Sequence, residues 1–285
     1  MTTDFDTRVA ERLRAWQISP AGKFTTATAA IVYGTRAGVP IVLKVVRTPG
    51  DEWRSGEVVA AFGGRGVVRV YEHVEGALLL ESLTPGEPLA ALSLSGRDDE
   101  ATEILAALLG RMSPGDPPRS CPSVEDYGLG LGRYSASGDT RIPRRLVEVA
   151  QRVYRELAAT QRNPGLLHGD LHHYNVLFDE RRGWIAIDPK GLVGELEYEI
   201  GAALRNPSER PELFASLPVI ERRLGVFADA LGIDVDRARA WAFAQAVLAA
   251  VWDLEEGQRV DQQHWSLQLA GAIEQSSAFR DDFVT

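Results

Sequence analysis

The stretch "LLHGDLHHYNVLFDERRGWIAIDPKG", residues 166–191, holds three of the chain's five histidines, His168, His172 and His173, around one aspartate. Two chemistries fit such a loop. The histidines could bind a transition metal, or Asp170 could handle a proton while the histidines support it. The hydrophobic pattern narrows the choice, because an apolar run leads into a polar loop, then "NVLFD", a turn at "ERRG", and "WIAID". This reads as loop, strand, turn, strand. The polar loop and the end of the second strand therefore come together, which makes Asp170, Asn175 and Asp188 a cluster.

Outward from this stretch, 285 residues with 45% hydrophobic and 25% charged side chains describe a globular chain of one large domain or two lobes. The formal charge of −9, with no stretch of Lys and Arg free of acidic neighbours, argues against a nucleic-acid-binding face and suits a cationic or polar small molecule. A single cysteine, Cys121, fits a reducing compartment, and "MTTDFDTRVAERLRAW" is too polar and acidic for a signal peptide. "WAFAQAVLAAVWDL" (241–254) is too short for a membrane span and reads as a buried helix. A cytoplasmic protein without a membrane partner is expected, and nothing indicates its oligomeric state.

Before the central stretch, Phe5, Val9, Leu13 and Trp16 recur at helical spacing, followed by strand-like runs "AAIVYG" (29–34), "PIVLKVV" (40–46), "VVRVYEHV" (67–74) and "ALLLESL" (77–83). Short connections predict a small antiparallel sheet. "DEWRSGEVVAAFGG" reads as a helix closed by glycines, and "TPGEPL" (84–89) as a linker. Beyond it the pattern is helical, at 98–112 and 143–161 above all, while residues 113–142 read as either an ordered substrate-facing loop or a long connection. The expectation is an α+β chain, residues 1–84 forming a nucleotide-binding lobe and 85–285 a catalytic and acceptor-binding lobe.

Asp170, Asn175 five residues on, and a strand ending in Asp188 have the spacing of a phosphoryl-transfer site. Such a reaction needs a base near the attacking hydroxyl and hard cations near the phosphoryl oxygens. Asn175 and Asp188 offer oxygen ligands that suit Mg²⁺. From the other lobe, Lys44 stands in an apolar strand and needs a buried partner. Glu57 is the first candidate and Glu52 the second. Backbone groups around Glu81 to Leu83 could meet an adenine edge.

"HGDLHHYNVL", "IAID" and "VLK" together resemble the aminoglycoside phosphotransferase family, whose fold is similar to that of protein kinases. "RSGEVVAAFGGRGVVRVYEH", "GALLLESLTPG" and "IAIDPKGLVGELEYEIGAALRNP" resemble, more narrowly, its streptomycin 6-phosphotransferase and hydroxyurea phosphotransferase branch, from about Trp16 to about Pro207. The resemblance implies ATP and Mg²⁺, Asp170 as catalytic base, Asn175 and Asp188 as metal ligands, and Lys44 with Glu57 as the pair that orients the phosphates. It implies a small-molecule acceptor: streptomycin phosphorylated at its 6-hydroxyl, or alternatively hydroxyurea or another metabolite. Two features depart from the pattern. The first hairpin, "SPAGKFTTATAAIVYG" (19–34), where Gly22 to Thr28 would meet phosphate, has no glycine triplet, and "PKG" after Asp188 puts Lys190 where it either contacts phosphate or ends a turn.

Plainer readings stand beside these. His168 reads as a packed residue, His172 as substrate-facing or structural, and His173 as structural. A histidine metal site of a hydrolase leaves Lys44, Asn175 and Asp188 unexplained, and a catalytically dead, nucleotide-binding regulator should have lost Asp170, Asn175 or Asp188. Trp252 and Asp253 in "VWDLEEG" form either a solvated helix end or a wall for a cationic acceptor. Glu195, Glu197 and Glu199 face substrate or support the catalytic loop.

Overall fold

The computed structural model describes residues 5–112 and 115–283. The smaller lobe contains α1 (Phe5–Ala15), β1 (Ser19–Thr25), β2 (Ala29–Arg36), β3 (Val39–Val46), α2 (Ser55–Ala61), β4 (Val70–Val74) and β5 (Ala77–Glu81). The strands form one antiparallel sheet in the order β1-β2-β3-β5-β4. Alternation gives the sheet two apolar faces. On β3, Ile41, Leu43 and Val45 pack with Val9 and Trp16 beneath α1, while Val42 and Lys44 line a cleft on the opposite face.

The larger lobe adds β6 (Pro85–Pro88), α3 (Ala90–Leu94), α4 (Asp98–Met112), α5 (Val124–Ser137), α6 (Arg144–Ala158), β7 (Gly165–Leu167), β8 (Val176–Asp179), β9 (Gly183–Ala186) and β10 (Leu192–Gly194). It closes with α7 (Leu196–Leu204), α8 (Leu217–Leu231), α9 (Val235–Glu255), α10 (Trp265–Ile273) and α11 (Ser277–Phe283). α9 is the centre of this lobe. Its run of alanines leaves room for α5, α6, α7, α8, α10 and α11 to pack around it, and nearly its whole length is buried.

Residues 19–25 form β1, the first arm of the expected hairpin and an exposed edge strand without a hydrophobic face of its own. Two segments differ from the expectation. The proline-rich 85–88 segment pairs with β8 at the edge of a three-stranded sheet, where missing N–H donors are tolerated. Much of 113–142 is helix α5, opened by a capping box in which Ser123 and Asp126 satisfy each other's backbone N–H groups; residues 113–114 lie outside the described residues. Among the described residues, no helix is long and apolar enough to cross a membrane.

The central stretch becomes two loops anchored side by side. β7 pairs with β10, Leu167 opposite Leu192, and β8 pairs with β9, Val176 opposite Ala186. The loops 168–175 and 187–191 are stitched directly as well. Ile187 N donates to Asn175 O at 2.8 Å and Lys190 N to His168 O at 2.8 Å. Asp170 and Asp188 are thus fixed near one another by backbone pairing, before their side chains interact.

Candidate active site

Each histidine of the central stretch has a geometric explanation. His168 is 1% exposed; its Nε2 donates to Ile187 O at 2.9 Å and its Nδ1 accepts from Asp170 N at 3.3 Å. One donor and one acceptor satisfy a neutral imidazole, and burial lowers its pKa to about 4. His173 is fully buried and neither ring nitrogen has a hydrogen-bond partner among the described residues, so it is also held neutral by burial, with its pKa lowered to about 3. His172 Nδ1 accepts from Tyr174 N at 3.2 Å, which puts the ring proton on Nε2, 3.7 Å from Asp170 Oδ2. In that tautomer the 3.2 Å contact between Nε2 and Asn175 Nδ2 is not a hydrogen bond. A histidine metal site does not form here, because His168 is spent on the backbone and His173 lies in the core. No group of three or more His, Cys, Asp or Glu among the described residues could hold a metal ion.

Asp170 lies between two cationic side chains and the His172 imidazole. Arg205 Nη2 is 3.3 Å from its Oδ1, and Lys190 Nζ is 3.6 Å from its Oδ2, with His172 beyond. Burial opposes ionisation of the Asp170 carboxyl, but Lys190, His172 and Arg205 outweigh it and bring the pKa to about 2. The loop is held from below by Glu199, which accepts from Gly169 N at 3.0 and 3.1 Å. Burial raises the Glu199 pKa to about 7 even though these backbone bonds favour its charged form.

Lys44 is 7% exposed and pairs with Asp188 and, at 2.9 Å, with Glu52. The expected partner Glu57 is instead the acceptor for Ser120 Oγ at 2.9 Å. The reason lies in the start of the helix. A 3₁₀ turn at Asp51–Arg54 precedes α2 and carries Glu52 toward β3, leaving Glu57 a turn further on. Burial disfavours the charged lysine, but the charges of Asp188 and Glu52 prevail and its pKa is raised. Asp188 has a φ of 59°, a left-handed conformation that costs a non-glycine residue roughly 1 kcal/mol.

Asn175 Nδ2 donates to Asp170 O at 3.0 Å, so its Oδ1 is the group left for a ligand. With the Asp188 carboxylate, which is 45% exposed, it gives an oxygen donor pair that fits a hard divalent cation.

These residues line one continuous cleft with three compartments. The inner one, about 350 Å³, lies between Val42, Leu80, Leu177 and Ile187, roofed by the aromatic pair Phe24 and Tyr33, whose centroids are 6.0 Å apart. Glu81 and Leu83 border it, but the Glu81 carboxylate is taken by Arg182 and by Arg69 N at 2.7 Å, and its backbone N–H donates to Arg69 O at 3.0 Å, so neither is available to a ligand. Asp188 joins this compartment to a central one of about 420 Å³ that contains Glu52, Ser55 and Asp170. Lys190 and Glu256 are shared with an outer compartment of about 520 Å³, lined also by Asp126, Tyr127, Trp252 and Glu255.

Trp252 faces that outer space, edge-on to Tyr127 at 5.5 Å, with Lys190 Nζ 5.8 Å from its ring centre. Lys190 therefore stands between Asp170 and the outer compartment. Three expected substrate residues are engaged elsewhere. Asp253 pairs with His264 Nε2 at 3.0 Å. Glu195 is fully buried, accepting from Arg237 Nε and Trp241 Nε1 at 2.5 Å each. Glu197 accepts from Asp234 N at 3.3 Å. The last two tie the start of α7 to the start of α9. Asp126, on a segment read only as a loop or connection, and Arg205, in an apolar context, were not found from the sequence; nor was Phe24, since β1 is exposed throughout, whereas Tyr33 could have been, from its period-2 placement with Ile31 on β2.

The chain matches the family described as aminoglycoside/hydroxyurea antibiotic resistance kinase over residues 15–257. It is similar to a streptomycin 3''-kinase of Klebsiella pneumoniae, 34% identical over 86% of this chain and 92% of the relative. A hydroxyurea phosphotransferase of Kitasatospora aureofaciens is 34% identical over 88% of this chain and 74% of its own. A streptomycin 6-kinase of Streptomyces griseus is 30% identical, covering 87% and 83%. Among solved structures, aminoglycoside phosphotransferase APH(4)-Ia bound to ADP and hygromycin B superposes with a TM-score of 0.65 at 15% identity, covering 94% of this chain and 98% of that one. Choline kinase LicA from Streptococcus pneumoniae does so with a TM-score of 0.61 at 12% identity, covering 97% and 99%. These two likenesses show a protein-kinase-like fold. The match over most of its length makes the chain a small-molecule kinase, and it belongs to the aminoglycoside/hydroxyurea antibiotic resistance kinase family.

Proposed function

We propose that this kinase transfers the γ-phosphoryl group of ATP to the 6-hydroxyl of a streptomycin-type aminoglycoside. The observation that carries the acceptor class is the outer compartment. It combines about 520 Å³ with the carboxylates of Asp126, Glu255 and Glu256, which outnumber the cations Arg133 and Lys190, and the rings of Tyr127 and Trp252. Carboxylates and aromatic faces suit a large, polyhydroxylated cation. Hydroxyurea, small and uncharged, leaves most of that volume and charge unused. The 6-position is taken from the likeness to 6-kinases of two Streptomyces species, 30% and 32% identical and each matched over 83% of its length; the 3''-kinase, 34% identical over 92% of its length, makes the 3''-hydroxyl the competing position. Transfer within a cytoplasmic cell compartment fits the lone thiol of Cys121 and the need for ATP.

In this reading residues 1–84 bind the nucleotide and residues 85–285 carry the chemistry and the acceptor. The adenine enters the inner compartment under Phe24 and Tyr33, with its edge toward the backbone of Glu81 to Leu83. Lys44 leaves its direct contact with Asp188 and turns to the phosphates, kept charged by Glu52. Asn175 Oδ1 and the Asp188 carboxylate would hold Mg²⁺, which neutralises phosphoryl oxygens when bound. Asp170 orients the acceptor hydroxyl and takes its proton as the new P–O bond forms. A carboxylate kept at a low pKa is a weak base, so its main contribution is alignment of the nucleophile, with proton transfer completed late. Lys190, beside Asp170 and the outer compartment, balances the charge that builds between acceptor and phosphoryl.

The test is ADP release, coupled to a reporter enzyme, across streptomycin, other aminoglycosides and hydroxyurea. Streptomycin turnover giving a 6-phosphate, mapped by ³¹P–¹H NMR, is the expected result. Turnover of hydroxyurea with streptomycin inert overturns the acceptor assignment, and a 3''-phosphate overturns the position.

A further inference from the structure

We infer that Arg205 is a positioning residue for Asp170, and that the buried amide of Gln245 on α9 sets the direction of its guanidinium. The inference rests on the reading of Asp170 as the group that aligns the acceptor.

Arg205 follows the last residue of α7 and its side chain, 8% exposed, runs inward to the catalytic loop. One terminal nitrogen, Nη2, stands 3.3 Å from Asp170 Oδ1, and the other, Nη1, donates to Gln245 Oε1 at 3.0 Å. Lys190 at 3.6 Å and His172 at 3.7 Å lie farther from the same carboxylate, so Arg205 is its nearest side-chain donor. Gln245 is itself fixed. It is 3% exposed, and its Nε2 donates to Tyr198 O at 2.5 Å. A flipped amide would turn N–H groups toward the guanidinium and an oxygen toward the Tyr198 carbonyl, losing both bonds, so only one orientation satisfies it.

The space for this amide is provided by Gly201 on α7. A Cβ there would come within 2.6 Å of the Gln245 Cδ, Nε2 and Oε1 atoms, so any larger residue pushes the amide away. Tyr198 is held in turn by a 3.1 Å contact between its hydroxyl and that of Tyr154, and both rings pack edge-on to Trp241 of α9. A connected line therefore runs from the core of α9 through Gln245 and Arg205 to one oxygen of Asp170.

A neighbouring arginine shows that this arrangement is not the ordinary fate of a buried guanidinium. Arg223, 1% exposed, directs its donors to Ala203 O, Asn206 O and Asp98, none of which lines the cleft. Arg205 divides its fork between a catalytic-loop carboxylate and a single amide. Lysine cannot reproduce that division, because its ammonium is one point donor rather than a planar fork. With Oδ1 occupied by Arg205, Oδ2 is the oxygen left for the acceptor hydroxyl, and misdirecting it by about 1 Å is enough to cost on the order of 10²-fold in rate.

The experiment compares Arg205→Met, Arg205→Lys, Gln245→Met, the Arg205→Met/Gln245→Met double variant and Asp170→Asn. Streptomycin is the acceptor, and ATP affinity is read separately by a fluorescent ATP analogue. Arg205→Met should lower kcat roughly 10²-fold with KM for both substrates within about threefold, and Gln245→Met roughly 10-fold in the same pattern. Arg205→Lys should recover part of the loss. The double variant should be no slower than Arg205→Met, since Gln245 acts through Arg205. Circular dichroism and melting curves identify any variant that fails to fold, and Gln245→Met, which keeps volume and removes no charge, remains informative if Arg205→Met does not. Parent kcat in folded Gln245→Met and Arg205→Met, with only the melting temperature lowered, overturns the inference while Asp170→Asn remains inactive. Parent kcat in Asp170→Asn overturns the Asp170 reading instead.

Discussion

Replacing Glu52 by Gln should damage phosphoryl transfer, whereas replacing Glu57 by Gln should leave it almost intact. Glu52 Oε2 lies 2.9 Å from Lys44 Nζ, with side chains 29% and 9% exposed. It approaches as an ion pair and not along a directed hydrogen bond. Coulomb attraction at that separation is about 6 kcal/mol for an effective dielectric near 20 and about 1.4 kcal/mol in a water-like medium. Part of this is recovered from Asp188 and from the incoming phosphates, so a net loss of about 1.4–2.7 kcal/mol is expected, or roughly 10- to 100-fold in kcat/KM for ATP. Glu57 accepts from the Ser120 hydroxyl at 2.9 Å and forms no ion pair among the described residues, and its replacement should stay within about twofold. Steady-state ADP release with ATP varied at saturating acceptor measures both. If Glu57→Gln loses as much as Glu52→Gln, the pairing described for Lys44 does not hold during catalysis.

Other variants probe separate parts of the molecule. Asp170→Asn should bind ATP as the parent does yet transfer phosphoryl roughly 10²- to 10⁴-fold more slowly in a single turnover; an unchanged rate refutes its role. Trp252→Leu should raise KM for streptomycin with little change in kcat or in KM for ATP, and a pure kcat effect would remove Trp252 from the acceptor wall. Turnover should need Mg²⁺ or Mn²⁺ and should not be restored by Zn²⁺ alone, as measured after chelation and add-back. Asp98→Asn leaves the buried Arg223 guanidinium, bonded to Asp98 at 2.7 and 2.9 Å, without its counter-charge. A loss of about 3–5 kcal/mol, near 5–8 °C in melting temperature for a chain of this length, should follow. Burial disfavours the Asp98 carboxylate, but Arg223 and Ser93 bring its pKa from 3.8 down to about 2. A lowered folded pKa means stability present above about pH 4 and lost as pH falls toward 2, so the acid-side fall in melting temperature should be shallower in Asp98→Asn than in the parent.

The parts of the fold legible in the sequence were those with a local period. Helices α4 and α6 and strands β2, β3, β5, β8 and β9 carry regular apolar spacing, and the loop between β7 and β8 carries its chemistry in a compact run. Strand β1 was legible only as the first arm of the hairpin at 19–34, because an edge strand without buried side chains has no hydrophobic alternation of its own. The proline-rich β6 was read as a linker since proline normally signals a break, and only its edge position reconciles it with a sheet. Within the site, Asp170, Asn175, Asp188 and Lys44 were legible from spacing. Their partners were not, because pairing depends on the angle at which elements enter. A 3₁₀ turn decides for Glu52 over Glu57, and the helix packing of α7 against α9 turns Glu195 and Glu197 inward to Arg237, Trp241 and Asp234. Arg205 had no signal in its neighbours, since a buried arginine at a helix end looks like any other cap from the sequence.

Helix α9 spans 21 residues, about 30 Å at 1.5 Å per residue, and its segments have unlike duties. The first turns bear the Arg237 and Trp241 contacts that hold the lobe together, the middle carries Gln245, and the last turn presents Trp252 and Glu255 to the outer compartment. Such a layout separates what selection can alter from what it must leave alone. If the outer compartment takes the acceptor as proposed, exchanges at the exposed Glu255 reshape acceptor range without disturbing core packing or the catalytic loop, whereas Trp252 and Leu254 in the same turn also pack against the core. Exchanges earlier in the same helix are paid in folding or turnover. Lineages adapting to new drugs should accordingly accumulate variation along this one helix in a gradient, sparse at its beginning and dense where it ends.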